Sequence, residues 1–317
     1  MFCQRLRGAT YQEIAATGGG IHFSVTSTRS ASEDDLFEVS MQRLNSFEKR
    51  GVTTVEIKSG YGLSMDSELK MLRVIKRLKT ASRLKIFSTC LALHSVPKET
   101  NKEAYIKLCT ESLLPRVAEE DLADFTDVFL EKGYFLESDV EGFMEKAQEL
   151  GIEIKVHADE FEDSGGAKAA ANWKAVSADH LQAASIDGLK KMARAGTIAV
   201  LLPGTSLYTK IPFASACKMR EAGLTIAIGS DYNPGSCAIE NLSFLASMGG
   251  IHCGLNPEEV FASVTVNAGM ALGLKAASLQ IAAGNQVDLC LWPFESWEQW
   301  VADAGQTLPL RTETYLA

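Results

Sequence analysis

Three segments of the chain put a metal-ligating or proton-transferring side chain at the same point of a repeating pattern. KVHADE ends an apolar run on His157 with Glu160 just beyond, VSADH ends the next on His180, and IAIGSDYNPGS carries Asp231 just past a third. Imidazole nitrogen and carboxylate oxygen are donors that zinc or ferrous iron accepts, and a catalytic site leaves one coordination position open for water. Taken singly, a strand-end histidine is more often a hydrogen-bonded structural residue, and an aspartate there is often a helix N-cap. Three in register favour a hydrolytic metal site. His94 closes KIFSTCLALH in the same way and stands equally for a site residue or a structural one. Tyr61, in the glycine-flanked KSGYGL, could donate its phenol to a carboxylate or simply pack the turn. His22 follows Gly18, Gly19 and Gly20 but lacks the Lys-Ser/Thr partner of a phosphate cradle. His252 has no assigned role, and Trp173, Trp292, Trp297 and Trp300 read as packing residues.

Such side chains need a scaffold that brings strand ends together. Seven β-branched or apolar runs, at 52–58, 84–93, 125–130, 152–158, 175–179, 198–202 and 224–229, alternate with amphipathic stretches such as 67–79, 140–148 and 185–193. Repeated βα units without a dinucleotide fingerprint predict a (β/α)₈ TIM barrel rather than a doubly wound sheet, with the site at the C-terminal ends of the strands. One strand is missing from the count. The first fifty residues offer a helix at 10–16, a glycine turn and a helix at 32–49. Either a strand is hidden there or strand 1 lies upstream of Met1. After residue 283, QVDLCLW at 286–292 reads as the edge of a small β-module followed by a polar, irregular tail. The expected division is a barrel at 1–283 and a partial β-sandwich at 284–317.

The bulk properties narrow the partners. The chain has 317 residues, 46% of them hydrophobic, and a net charge of −9. Its Lys and Arg form no stripe, which argues against nucleic acid and for a small-molecule substrate. The seven cysteines are widely spaced with no C-x-x-C pair, which suits a reducing cytoplasm better than a disulfide framework. No apolar run of about 18 residues and no signal-peptide pattern is visible, so neither membrane association nor export is expected.

KSGYGL, LHSVP, KVHADE, VSADH, LLPGT and SDYNPGS, in this order and spacing, together with the opening RLRGATYQEIAATGGGI, closely resemble the imidazolonepropionase family of metal-dependent amidohydrolases. The match runs from about residue 4 to about residue 292. The resemblance implies hydrolytic ring opening of 4-imidazolone-5-propanoate to N-formimino-glutamate, with one divalent or trivalent ion, zinc or iron. By it, His157 and Asp231 are metal ligands, and Tyr61, His94, Glu160, Asn233, Gly235 and Ser236 surround the substrate. Asp231 would carry a proton from the attacking water to the leaving nitrogen and His180 would hydrogen-bond the oxyanion. Glu160 is a second proton carrier or a grip on the imidazolone N–H. A homodimer is expected for the full-length enzyme.

The family pattern also holds a His-x-His pair on barrel strand 1 and an Arg soon after it. The five histidines here include no such pair. This agrees with the strand count and leads to the expectation of an N-terminally truncated barrel with weakened metal affinity and impaired activity. Two rival readings remain: another cyclic amidohydrolase or deaminase, and a non-catalytic barrel fragment.

Overall fold

The computed structural model describes residues 2–8 and 20–316. The expected helix at 10–16, with Gly18 and Gly19, lies outside the described residues. Seven strands form one parallel sheet in chain order: β1 Thr54–Lys58, β2 Lys85–Leu93, β3 Phe125–Leu130, β4 Glu153–Ala158, β5 Ser177–His180, β6 Ile198–Leu201 and β7 Ile226–Ile228. All seven fall on the expected runs. Helices cross between them and cover the outside. The helix Met65–Ala81, for instance, buries Leu69, Leu72, Val74, Ile75 and Leu78, whose separations of three and four residues put them on one apolar face.

The sheet is curled. Lys155 on β4 reaches Glu56 on β1 at 2.7 Å, and Lys58 on β1 reaches Asp179 on β5 at 3.3 Å. In a flat sheet, strands about 4.8 Å apart would separate these pairs by roughly 14 and 19 Å. The curl stops short of closure among the described residues, because β1 pairs only with β2 and β7 only with β6. Both edges border the same cavity of about 1700 Å³.

The helix at 32–49 is observed as Glu33–Lys49, started by a capping box in which the Ser32 side chain accepts from Asp35 N and the Asp35 side chain accepts from Ser32 N. An unexpected helix, Ile21–Ser30, precedes it and contains His22. Its Ser, Thr and β-branched residues have modest helix propensity. Its C-terminal end is held from outside: Lys70 Nζ donates to the carbonyls of Thr28, Arg29 and Ala31 at 2.9, 3.0 and 2.7 Å.

The segment after residue 283 corrects the expectation of an irregular tail. β8 Gln286–Leu291 pairs antiparallel with β9 Arg311–Leu316, and a helix, Trp297–Ala302, lies between them. The ribbon docks on the α/β unit through Cys290 Sγ, 3.0 Å from Gly51 O, and the helix through Val301 O, which accepts from Ser247 Oγ at 2.7 Å. Trp292 and Trp300 meet edge-on at 6.0 Å, the packing role expected of them. No helix among the described residues is long and apolar enough to cross a membrane.

Candidate active site

Successive side chains on a strand point to opposite faces. Glu56 and Lys58 on β1, Asp127 on β3, Lys155 and His157 on β4 and Asp179 on β5 therefore fall on the inner face, where branched apolar residues would normally fill a barrel. They meet in one buried network. Lys58 Nζ stands 2.7 Å from Glu56 Oε1 and 2.8 Å from Asp127 Oδ2, and Thr89 Oγ1 also donates to Glu56. Asp127 Oδ1 accepts from the backbone N–H groups of Val128 at 2.7 Å and His157 at 3.1 Å. Its Oδ2 lies 3.0 Å from His157 Nδ1, although that N–H does not aim squarely at the oxygen, so the contact is an ion pair rather than a well-aligned hydrogen bond.

Burial opposes charge on Glu56, Asp127 and His157, and their partners overcome it. Lys155 and Lys58 hold Glu56 down at about 2, His157 and Lys58 hold Asp127 far below the usual carboxylate range, and Asp127 holds His157 up at about 9 in the metal-free chain.

Above this floor the expected residues gather at the strand ends. The His157 ring centroid lies 5.3 Å from that of His180 and 6.1 Å from that of His94. Tyr61 meets His94 edge-on at 5.2 Å, and His94 Nδ1 lies 3.2 Å from Gly60 O. Tyr61, His94, His157, His180, Asp231, Asn233, Gly235 and Ser236 all border the large cavity. Glu160 stands behind them, buried, with Oε2 3.8 Å from His180 Nε2. His252 lies apart, stacked on Phe213 at 4.5 Å.

Buried carboxylates pin two of the site loops, and a side-chain amide builds a third. Glu68 accepts from the backbone N–H groups of Gly60, Gly62 and Leu63 at 2.8–2.9 Å and shapes the loop carrying Tyr61. Gly60 is required there, since at φ 96° a Cβ would come within 2.6 Å of Leu91 O. Glu131 accepts from Phe161 N at 2.9 Å, and Asp159 from Gly166 N and Ala167 N, both at 2.8 Å, framing Glu160. The Asp231 loop is built by Asn233: its Oδ1 accepts from Gly235 N and Ser236 N, and its Nδ2 donates to Asp231 O and Ser236 Oγ. The Asn233 amide is thus engaged within its own loop. Asp231 Oδ2 accepts from Thr205 Oγ1 and, at 3.3 Å, from Ser236 Oγ.

The electrostatics of this upper layer differ from those of the floor. Burial, followed by the Asp231 charge, raises Glu160 to about 8. Burial lowers His180 to about 3, and burial with the His157 charge lowers His94 to about 4. His180 Nδ1 is buried with no hydrogen-bond partner among the described residues. His180 and Asp231 also take left-handed backbone conformations, φ 77° and 46°, which cost a non-glycine residue about 1–3 kcal/mol.

The donor chemistry fits a metal ion. Among the described residues, Asp127, His157 and Asp179 offer ligand atoms all within 4.8 Å of one another. Only His157 of this cluster was expected from the sequence, while Asp231, the other expected ligand, lies on the same cavity wall. The signal that could have found Asp127, Asp179 and Lys58 is their alternation with apolar residues inside strands, in VEIK, TDVF and SADH.

No family model matches the chain. Among solved structures, 5-methylcytosine deaminase from Klebsiella pneumoniae has a TM-score of 0.74 at 18% identity, covering 92% of this chain and 76% of that one. An adenosine deaminase from Xanthomonas campestris with bound zinc has a TM-score of 0.64 at 15% identity, covering 88% and 67%. At these identities the likeness shows the fold alone, a curled parallel sheet with crossing helices. Imidazolonepropionase from Symbiobacterium thermophilum is 47% identical over 294 residues, 92% of this chain and 69% of the relative. The protein of the same name from Geobacillus sp. is 41% identical over 306 residues, 96% and 72%. With identity at this level over more than nine-tenths of its length, the chain belongs to the imidazolonepropionase family.

Proposed function

We propose that this site opens the ring of 4-imidazolone-5-propanoate with water, giving N-formimino-glutamate. The observation that carries the reading is that His157, His180 and Asp231, from three separate strand ends, border one cavity in a chain of this family. A bound zinc or iron ion would supply a water nucleophile at neutral pH and polarise the ring carbonyl. His157 and Asp231 are the residues we assign to hold it.

In the reaction, water adds to the ring carbonyl, the carbonyl carbon–nitrogen bond breaks, and the nitrogen leaves with a proton. Asp231 takes the proton from the attacking water and returns it to the leaving nitrogen. His180, kept neutral by burial, retains one N–H and donates it to the oxyanion. Glu160, whose carboxyl burial pushes up in the metal-free chain, is the second proton carrier, acting beside His180, or a grip on the imidazolone ring. Tyr61, His94, Asn233, Gly235 and Ser236 shape the substrate side of the cavity.

The facing edges of β1 and β7 support a further element of this reading: an eighth parallel strand bearing the His-x-His pair closes the barrel and completes the ligand set. The β8–β9 ribbon is then part of a β-sandwich, residues 1–283 supply strands 2 to 8 of the barrel, and the full-length enzyme works as a cytoplasmic homodimer. The test is to assay imidazolone loss and formimino-glutamate formation by this chain alone and joined in frame to the coding sequence upstream of Met1, with metal content measured in parallel. Ring opening by the extended form that depends on metal and on Asp231 supports the assignment. Failure of both forms sinks it, and full activity of the chain alone refutes the need for the eighth strand.

A further inference from the structure

The Asp127, His157 and Asp179 cluster has the donors of a metal site, yet a cation of the protein's own already stands in it. Lys58 Nζ is 2.8 Å from Asp127 Oδ2 and 3.3 Å from Asp179 Oδ2, and Asp127 Oδ2 is shared between this ammonium and His157 Nδ1. The position of Lys58 is enforced, because Glu56 two residues earlier on β1 holds the same nitrogen at 2.7 Å and is itself held by Lys155.

We propose that Lys58 is a resident cation that fills the inner seat of the site, keeping Asp127 and Asp179 from ligating metal and leaving His157 to meet the ion with its other ring nitrogen. This rests on the metal-site reading above. Lys58 is then a positioning residue: it acts on the metal through Asp127 and His157 and touches no reacting atom. The charge count explains why the seat needs a cation. With His157 neutral, as a metal ligand must be, two ammonium groups, Lys58 and Lys155, face three carboxylates, Glu56, Asp127 and Asp179. Without the Lys58 charge, two carboxylates and an imidazole would share one buried pocket, a donor set suited to zinc. Zinc ligands stand about 3.3 Å apart in a tetrahedron, so the cluster, with ligand atoms within 4.8 Å of one another, must contract around the ion to bind it.

The test uses the whole chain, Zn²⁺ alone as probe and metal content by mass spectrometry as readout, independent of activity. Lys58→Met keeps the length of the side chain and removes its charge. It should hold one zinc ion more per chain than the unaltered protein, and zinc should raise its unfolding temperature more than the parent's. Lys58→Arg should keep the parent's zinc content, and Lys58→Met/Asp179→Asn should return to it. In the parent background, Asp179→Asn should leave metal content unchanged. The proposal is overturned if Lys58→Met takes up no additional ion, if it stays unfolded at every zinc concentration, or if Asp179→Asn in the parent loses metal. An extra ion in Lys58→Met without ring opening by any form would sink the functional reading and leave this one standing.

Discussion

The floor and the rim of the curled sheet are both buried and both rich in titratable groups, yet they are built on opposite terms. On the floor every charge faces a partner: Lys155 with Glu56, Lys58 with Glu56, Asp127 and Asp179, and Asp127 with two backbone donors besides. At the rim, Glu160 and His180 are driven toward neutrality by burial, His180 Nδ1 has no partner among the described residues, and His180 and Asp231 sit in left-handed backbone. The difference teaches where precision is needed. Paired charges on regular strands set the place of His157 through Asp127, and the incompletely satisfied groups stand where a metal ion and a substrate would complete them.

The largest effect should come from the rim. In the form of the protein that opens the ring, Asp231→Asn should lower the rate by about 10⁴-fold, about 5.5 kcal/mol of transition-state stabilisation, while the denaturant midpoint barely moves. A parallel loss of stability would place Asp231 with the floor instead. Asp127→Asn should do the reverse of that pattern. It leaves Lys58 and His157 facing an uncharged amide, and breaking a buried pair in this way costs about 3–5 kcal/mol in equilibrium unfolding. A loss under about 1 kcal/mol would show that the floor does not carry the stability assigned to it.

Glu160 offers a finer probe. Its folded-state carboxyl holds its proton up to about pH 8, against 4.5 for the ordinary group. Between these values the folded chain binds more protons than the unfolded one, so stability falls as pH rises through that window. In chelator-treated protein, Glu160→Gln should remove a few kcal/mol of that decline, read as the difference in unfolding free energy between pH 5 and pH 8.5. Equal slopes for variant and parent would mean that Glu160 is not held neutral by its surroundings. The smallest effect belongs to a cap remote from both layers. Ser32→Ala should cost about 1 kcal/mol of stability and leave metal content untouched, which calibrates the other changes.

The contrast between floor and rim also governs what could be read before folding. The seven strands were legible because β-branched runs separated by amphipathic stretches leave few other solutions. His157, His180 and Asp231 were legible because each stands at or just beyond the end of such a run. The floor was not, since Lys58 and Asp179 are 121 positions apart and lie on strands that touch only because the sheet curls. Glu68, Glu131 and Asp159 escaped for a related reason: a carboxylate that pins a loop through backbone N–H groups looks in sequence like any surface acid. The helix Ile21–Ser30 depends on Lys70, a residue of another helix, for its C-terminal hydrogen bonds.

By itself, then, the sequence determined the order of strands and helices, the candidate residues at the strand ends and the family, because these are periodic or contiguous features set by local geometry. Tertiary structure alone decided that Lys58 stands among Asp127, His157 and Asp179, that Glu160 lies behind His180, and that the segment after β7 returns as a paired ribbon. The physical reason is curvature and burial. Only a closing sheet brings charges from distant strands within 3.3 Å, and only the resulting loss of water makes each of them depend on its neighbours.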